Sequence, residues 1–81
     1  MKITKTINLI AFKPSGKYYS EYTITADVET FPSGNETLMQ THSVLGAVSA
    51  AIELGEIPSG FVYMLDMVKH PAEVPAMLPI D

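Results

Sequence analysis

Polar and apolar residues alternate with a period of two along the first third of the chain. From Lys2 to Phe12 one side carries Ile3, Ile7, Leu9 and Ala11, interrupted by Lys5. The other side carries Lys2, Thr4, Thr6 and Asn8 and turns apolar at Ile10 and Phe12. Tyr18, Tyr22, Ile24, Ala26 and Val28 then alternate with Lys17, Glu21, Thr23, Thr25, Asp27 and Glu29, with Tyr19 as the exception. Successive side chains of a strand point to opposite faces, so these runs predict a hairpin whose sheet is covered on one side only. Lys13-Pro14-Ser15-Gly16 joins them, proline presetting φ at the second turn position and glycine accepting the positive φ that ends such turns. A second turn, Pro32-Ser33-Gly34-Asn35, follows Phe31. Glu36 to Gln40 reads as a short third strand or as a loop into a helix.

The period then becomes helical. Between Ser43 and Leu54 the residues Val44, Leu45, Val48, Ala51 and Ile52 form one stripe, which predicts a helix lying on the sheet. Thr41 or Ser43 is placed to supply the N-cap oxygen. Gly55 is placed as the left-handed residue after the last turn, with Pro58 beyond it. Pro58-Ser59-Gly60 leads into a last strand, Phe61 to Lys69, with Phe61, Tyr63, Leu65 and Met67 on one face and Val62, Met64, Asp66 and Val68 on the other. The Pro-Ser-Gly trio at 14, 32 and 58 has unequal spacing and unlike flanks, which is shared turn chemistry rather than an internal repeat. The expectation is a single α+β domain over residues 1–69: one helix on one face of a three- to four-stranded, mostly antiparallel sheet, in the order β-β-(β)-α-β. A tail over 70–81 follows, kept extended by Pro71, Pro75 and Pro79.

Composition narrows the classes. An 81-residue chain has room for one core. There is no cysteine, hence no disulfide framework and no thiolate metal site. Met1 to Thr6 carries lysines without an apolar stretch behind them, and no apolar run nears the ~18 residues that span a bilayer. A soluble, cytoplasmic protein is the expectation. Nine acids against five lysines give a formal net charge of −4, and arginine is absent. Arginine is the side chain best suited to bidentate phosphate and base recognition, so its absence tells against specific nucleic-acid binding. Charged residues make up 17% of the chain, below the roughly 25% of ordinary domains. Part of the surface is therefore expected to meet a partner or a twin subunit.

Candidate chemistry is sparse. No serine lies in a Gly-x-Ser-x-Gly context, no glycine-rich phosphate loop occurs, and no two acids form a close pair in an apolar setting. His42 reads as a solvent-facing flank residue just before the helix. A metal site from Asp66, His70 and Glu73 would need the three to converge, while Pro71 keeps the intervening chain extended. No catalytic residue, cofactor or metal site is assigned, and the chain reads as non-enzymatic. Lys13 and Lys17 beside Phe12, Tyr18 and Tyr19 form the mixture of basic and stacking groups that holds single-stranded nucleic acid. Five lysines against nine acids make a poor electrostatic funnel, which leaves this as the weaker alternative. Protein binding has more support. Opposite the helix stripe lie Gly46, Ser49, Ala50 and Glu53, where a solvent-facing helix ordinarily carries long charged side chains. Gly46 costs the helix ~1 kcal/mol relative to alanine. The last strand is apolar on both faces. The acidic strand positions Glu21, Asp27 and Glu29 offer a second candidate surface.

The stretch from Val44 to Met67, centred on Ala50-Ala51-Ile52-Glu53-Leu54-Gly55-Glu56-Ile57-Pro58-Ser59-Gly60-Phe61-Val62, resembles in arrangement a type of small phage protein. These are the phage inhibitors of bacterial RNA polymerase and several anti-CRISPR proteins. The resemblance implies a non-enzymatic inhibitor that docks on a bacterial host complex and blocks it, within the host cytoplasm. It carries over no functional residue: the polymerase inhibitors use arginines near the end of the last strand, where this chain has Met67-Val68-Lys69-His70. A small homo-oligomeric accessory subunit, such as a homodimer, is the alternative.

Overall fold

A computed structural model describes residues 2–33 and 36–70. Strands β1 (Lys2–Phe12) and β2 (Tyr18–Ser33) form the expected antiparallel hairpin. Its tip is a four-residue turn closed by a left-handed glycine: Gly16 N–H donates to the Lys13 carbonyl at 2.8 Å, Lys13 N–H donates to the Lys17 carbonyl at 2.7 Å, and Gly16 has φ +94°. Next to the tip the register slips by one residue. Ala11 faces Ser20 while Phe12 faces Tyr18, which leaves Tyr19 as the extra residue of a bulge. The slip reverses the side on which Tyr18 emerges. Tyr18, grouped with Tyr22 by alternation alone, is instead 59% exposed, its ring set edge-on to Phe12 at 6.4 Å.

Strand β2 continues through Pro32 and Ser33, which are strand residues rather than part of the turn, and pairs with β3 (Glu36–Met39). There β2 has outrun β1, the kind of position where a strand tolerates proline. Strand β4 (Val62–Leu65) pairs with the other side of β1, giving the order β3-β2-β1-β4 with every pairing antiparallel. The last strand is shorter than the expected Phe61 to Lys69 because Asp66 folds the chain into a turn. The Asp66 carboxylate accepts from Val68 N–H at 3.1 Å, and its carbonyl accepts from Lys69 and His70 N–H at 3.1 and 3.0 Å. This turn brings back the ring of His70, whose Nε2 accepts the Asn8 N–H at 3.0 Å. An imidazole therefore continues the β1–β4 ladder one step past the end of the strand. The Pro-spaced tail from Pro71 onward lies outside the described residues.

Helix α1 (Thr41–Glu53) carries the chain from the β3 edge back across the sheet toward β4. Neither Thr41 nor Ser43 caps it. Gln40 is the N-cap and makes no side-chain capping bond. Ser43 lies inside the first turn, and its hydroxyl accepts the Glu29 N–H at 2.9 Å, while Gln40 N–H donates to the Glu29 carbonyl at 2.8 Å. Both backbone groups of one β2 residue thus tie down the start of the helix. The other end is a Schellman cap, with Gly55 at φ +76° donating to Ile52 and Glu56 donating to Ala51 at 2.9 Å.

Val44, Val48 and Ala51 are the buried face of α1, with Ala47 and Ile52 packed at its margins. Leu45 departs from the expected stripe and is exposed. At about 100° per residue it stands a quarter turn round from Val44, outside the arc that Val44, Val48 and Ala51 share. Two fully buried valines contribute about 1.5–3 kcal/mol each, which exceeds the ~1 kcal/mol lost at Gly46. Packing, rather than propensity, holds this helix. Beneath it lie Ile7, Leu9 and Ala11 of β1, Ile24 and Val28 of β2, Met39 of β3, and Tyr63 and Leu65 of β4, with Ile57 closing one end.

Candidate functional site

Among the described residues the helix covers one face of the sheet and nothing covers the other. Cross-strand register arranges that open face in rows running from β2 through β1 to β4. Nearest the hairpin tip is the row Tyr18, Phe12, Val62, and next to it Glu21, Ile10, Met64. Beyond these the face becomes polar: Thr23 pairs with Asn8, Thr25 with Thr6, and Asp27 with Thr4. One end of the face is therefore apolar and the other is rich in threonine. The alternation in β1 that turned apolar at Ile10 and Phe12 and the two-sided apolarity of the last strand have the same cause. They are partners on the same patch.

At the apolar end Phe12, Lys13, Pro14, Gly16, Val62 and Met64 enclose an open groove of about 280 Å³. Its rim is the hairpin tip, held by the two short backbone bonds at Lys13. Met64 in its wall is 39% exposed, and Tyr18 stands 59% exposed beside it. On the helix-facing side of the bulge, Tyr19 lies stacked on Phe61 with ring centroids 4.3 Å apart.

The residues singled out from sequence fall on two separate surfaces. Gly46, Ser49, Ala50 and Glu53 are all exposed on the outer side of α1, as their helical spacing requires, and a Cβ added at Gly46 would meet nothing within 4 Å. Glu21 and Asp27 belong to the opposite, open face of the sheet. They lie six positions apart along β2, about 20 Å, which is beyond the ~10 Å over which exposed charges act at ordinary salt. Glu29, next to the start of the helix, is half-buried. Asp27 accepts a hydrogen bond from the Thr4 hydroxyl. The three acids do not converge on one site. Lys13 and Lys17 do come together, because the closed turn places them across from each other.

His42 sits exposed in the first turn of α1 and not ahead of it. His70 and Asp66, two of the notional metal trio, are buried as structural groups, and Glu73 lies outside the described residues. Among the described residues no cluster of three His, Cys, Asp or Glu side chains is arranged to hold a metal ion. No described buried side-chain nitrogen or oxygen lacks a partner. Among the described residues no helix is long and apolar enough to cross a membrane.

Sequence reasoning missed two features. The groove could have been anticipated from Ile10, Phe12, Val62 and Met64 once their register was known, but register is a long-range property. The bond from Asn8 to His70 spans 62 positions and carries no local signature. Comparison with known proteins adds no relative. No protein family, curated protein or solved structure matches the chain.

Proposed function

We propose that this chain is a non-enzymatic binding module that docks a partner protein through the apolar end of its open sheet face. The observation that carries the reading is the groove framed by Phe12, Val62 and Met64, covered by no described residue on the face away from the helix and walled by a turn that two backbone hydrogen bonds close. A patch of aromatic and Met side chains at an unpaired face is the composition that protein interfaces favour. The resemblance of Val44 to Met67 to phage inhibitors supplies a class of partner, a bacterial host complex that docking would block.

Quantitative pull-down from bacterial lysate tests the reading with three immobilised proteins: wild type, Val62→Asp/Met64→Asp, and Ser49→Lys/Ala50→Lys. Retention of a specific protein by wild type, lost in the sheet-face variant and kept in the helix variant, is the expected outcome. Loss only in the helix variant would move the docking surface to the exterior of α1. Retention of nothing above background would overturn the proposal.

A further inference from the structure

We infer that the groove receives a short acidic peptide segment: one bulky apolar side chain seated between Phe12, Val62 and Met64, with flanking carboxylates meeting Lys13 and Lys17. The inference rests on the docking reading above and adds the chemistry of the partner. Three observations carry it.

The first is size. A groove of about 280 Å³ lies at the lower edge of the 300–1,000 Å³ typical of pockets for organic ligands, which suits one or two side chains rather than a cofactor. The second is the lining. Phe12, Pro14, Gly16, Val62 and Met64 offer apolar surface, and no acid among the described residues lines the groove. The third is charge. The molecule carries −4 overall, yet the groove's rim holds Lys13 with Lys17 beside it, both exposed at a turn closed by the 2.7 Å bond between them. The nearest acid in sequence, Glu21, lies on β2, at the opposite end of its row from Met64. Asp66, just past β4, is buried and spends its carboxylate on the backbone of its own turn. Among the described residues no acid pairs with either rim lysine. A cationic rim round an apolar seat complements an apolar side chain carried among acids. Because the turn is already closed, little backbone freedom is lost on binding.

The chain contains no tryptophan, so a tryptophan-bearing probe reports its own burial without background. Three synthetic peptides of one frame serve: Asp-Glu-Trp-Glu-Asp, Lys-Lys-Trp-Lys-Lys and Asp-Glu-Ser-Glu-Asp, each capped at both ends and the last read by amide shifts alone. Decathymidylate serves as the nucleic-acid comparison. Titration into the full chain is followed by tryptophan emission and by amide chemical shifts. The expected result is a blue shift and saturable binding for the acidic tryptophan peptide, with shifts confined to the tip of β1, the turn and β4. Affinity should fall at least tenfold for Lys13→Glu/Lys17→Glu and for Met64→Asp, each checked for a native amide spectrum. It should weaken as salt rises. Equal binding of the acidic and basic peptides, preference for decathymidylate, or no difference between the tryptophan and serine peptides would each overturn the inference. So would concentration-dependent self-association abolished by Leu54→Ser, because the exposed Leu54 between Glu53 and Glu56 would then be the occupant, supplied by a second copy. If lysate capture depends on Met64 while the acidic peptide fails to bind, the docking reading stands and the assigned partner chemistry falls.

Discussion

Replacing His70 by alanine removes the acceptor that extends the β1–β4 ladder past Leu65. The Asn8 N–H donates to His70 Nε2 at 3.0 Å in a part-buried setting, so its loss leaves a backbone donor without that partner, a cost of about 1–3 kcal/mol. His70 as a whole is 4% exposed, and deleting its ring also leaves space where it packed. A loss of about 2–3 kcal/mol follows, against a total stability of about 4–12 kcal/mol for a chain of this length. With a urea slope of ~1 kcal/mol per molar, the unfolding midpoint followed by circular dichroism should fall by about 2–3 M. His70→Gln, whose amide oxygen can reach the Nε2 position, should recover more than half of the loss. His70→Asn, one atom shorter, should behave like alanine. Hydrogen exchange localises the effect: the Asn8 amide should lose at least tenfold more protection than Ile10, whose neighbours on β4 are untouched. An Asn8 amide as slow in His70→Ala as in wild type, or a glutamine variant no better than alanine, would refute the reasoning.

Two further outcomes follow from side chains already placed. Tyr63 is fully buried and its hydroxyl donates to the Pro58 carbonyl, so Tyr63→Phe should cost about 1 kcal/mol at neutral pH in urea unfolding. Burial, with smaller contributions from Tyr22 and Tyr19, holds its phenol above the ordinary value of 10.0. The folded state thus favours the neutral form. Stability from this group is complete below pH 10 and is lost as pH rises through the raised folded value, so part of the alkaline destabilisation should vanish in Tyr63→Phe. Gly46→Ala should raise stability by up to about 1 kcal/mol, since a Cβ there meets nothing. If that variant also lost partner capture, the outer side of α1, and not the sheet face, would be the docking surface.

Most of the architecture was legible because it rests on local periodicity. The hairpin, the burial of Val44, Val48 and Ala51, and the left-handed Gly16 and Gly55 all follow from patterns a few residues long. What was illegible depends on partners far away in sequence. Ser43 looks like a helix cap, yet its hydroxyl serves Glu29, fourteen positions earlier. The last strand looks long because Met67 and Val68 keep the alternation going, but the Asp66 carboxylate captures the following N–H groups and ends it. The candidate site divides in the same way. Exposure of Gly46, Ser49, Ala50 and Glu53 was readable from the helical wheel. The groove was not, because it needs Phe12 and Val62 side by side.

The bulge at Tyr19 has a consequence for how the two faces of the sheet can change independently. A bulge absorbs its extra residue, so the pairs on either side keep their places: Ser20 opposite Ala11 and Tyr18 opposite Phe12. A single-codon deletion of Tyr19 would leave Tyr18 beside Phe12 on the open face and remove instead the ring stacked on Phe61. It would do so without altering any described residue that lines the groove. A length change at this point of β2 therefore edits the helix side of the sheet while the open face keeps its contacts.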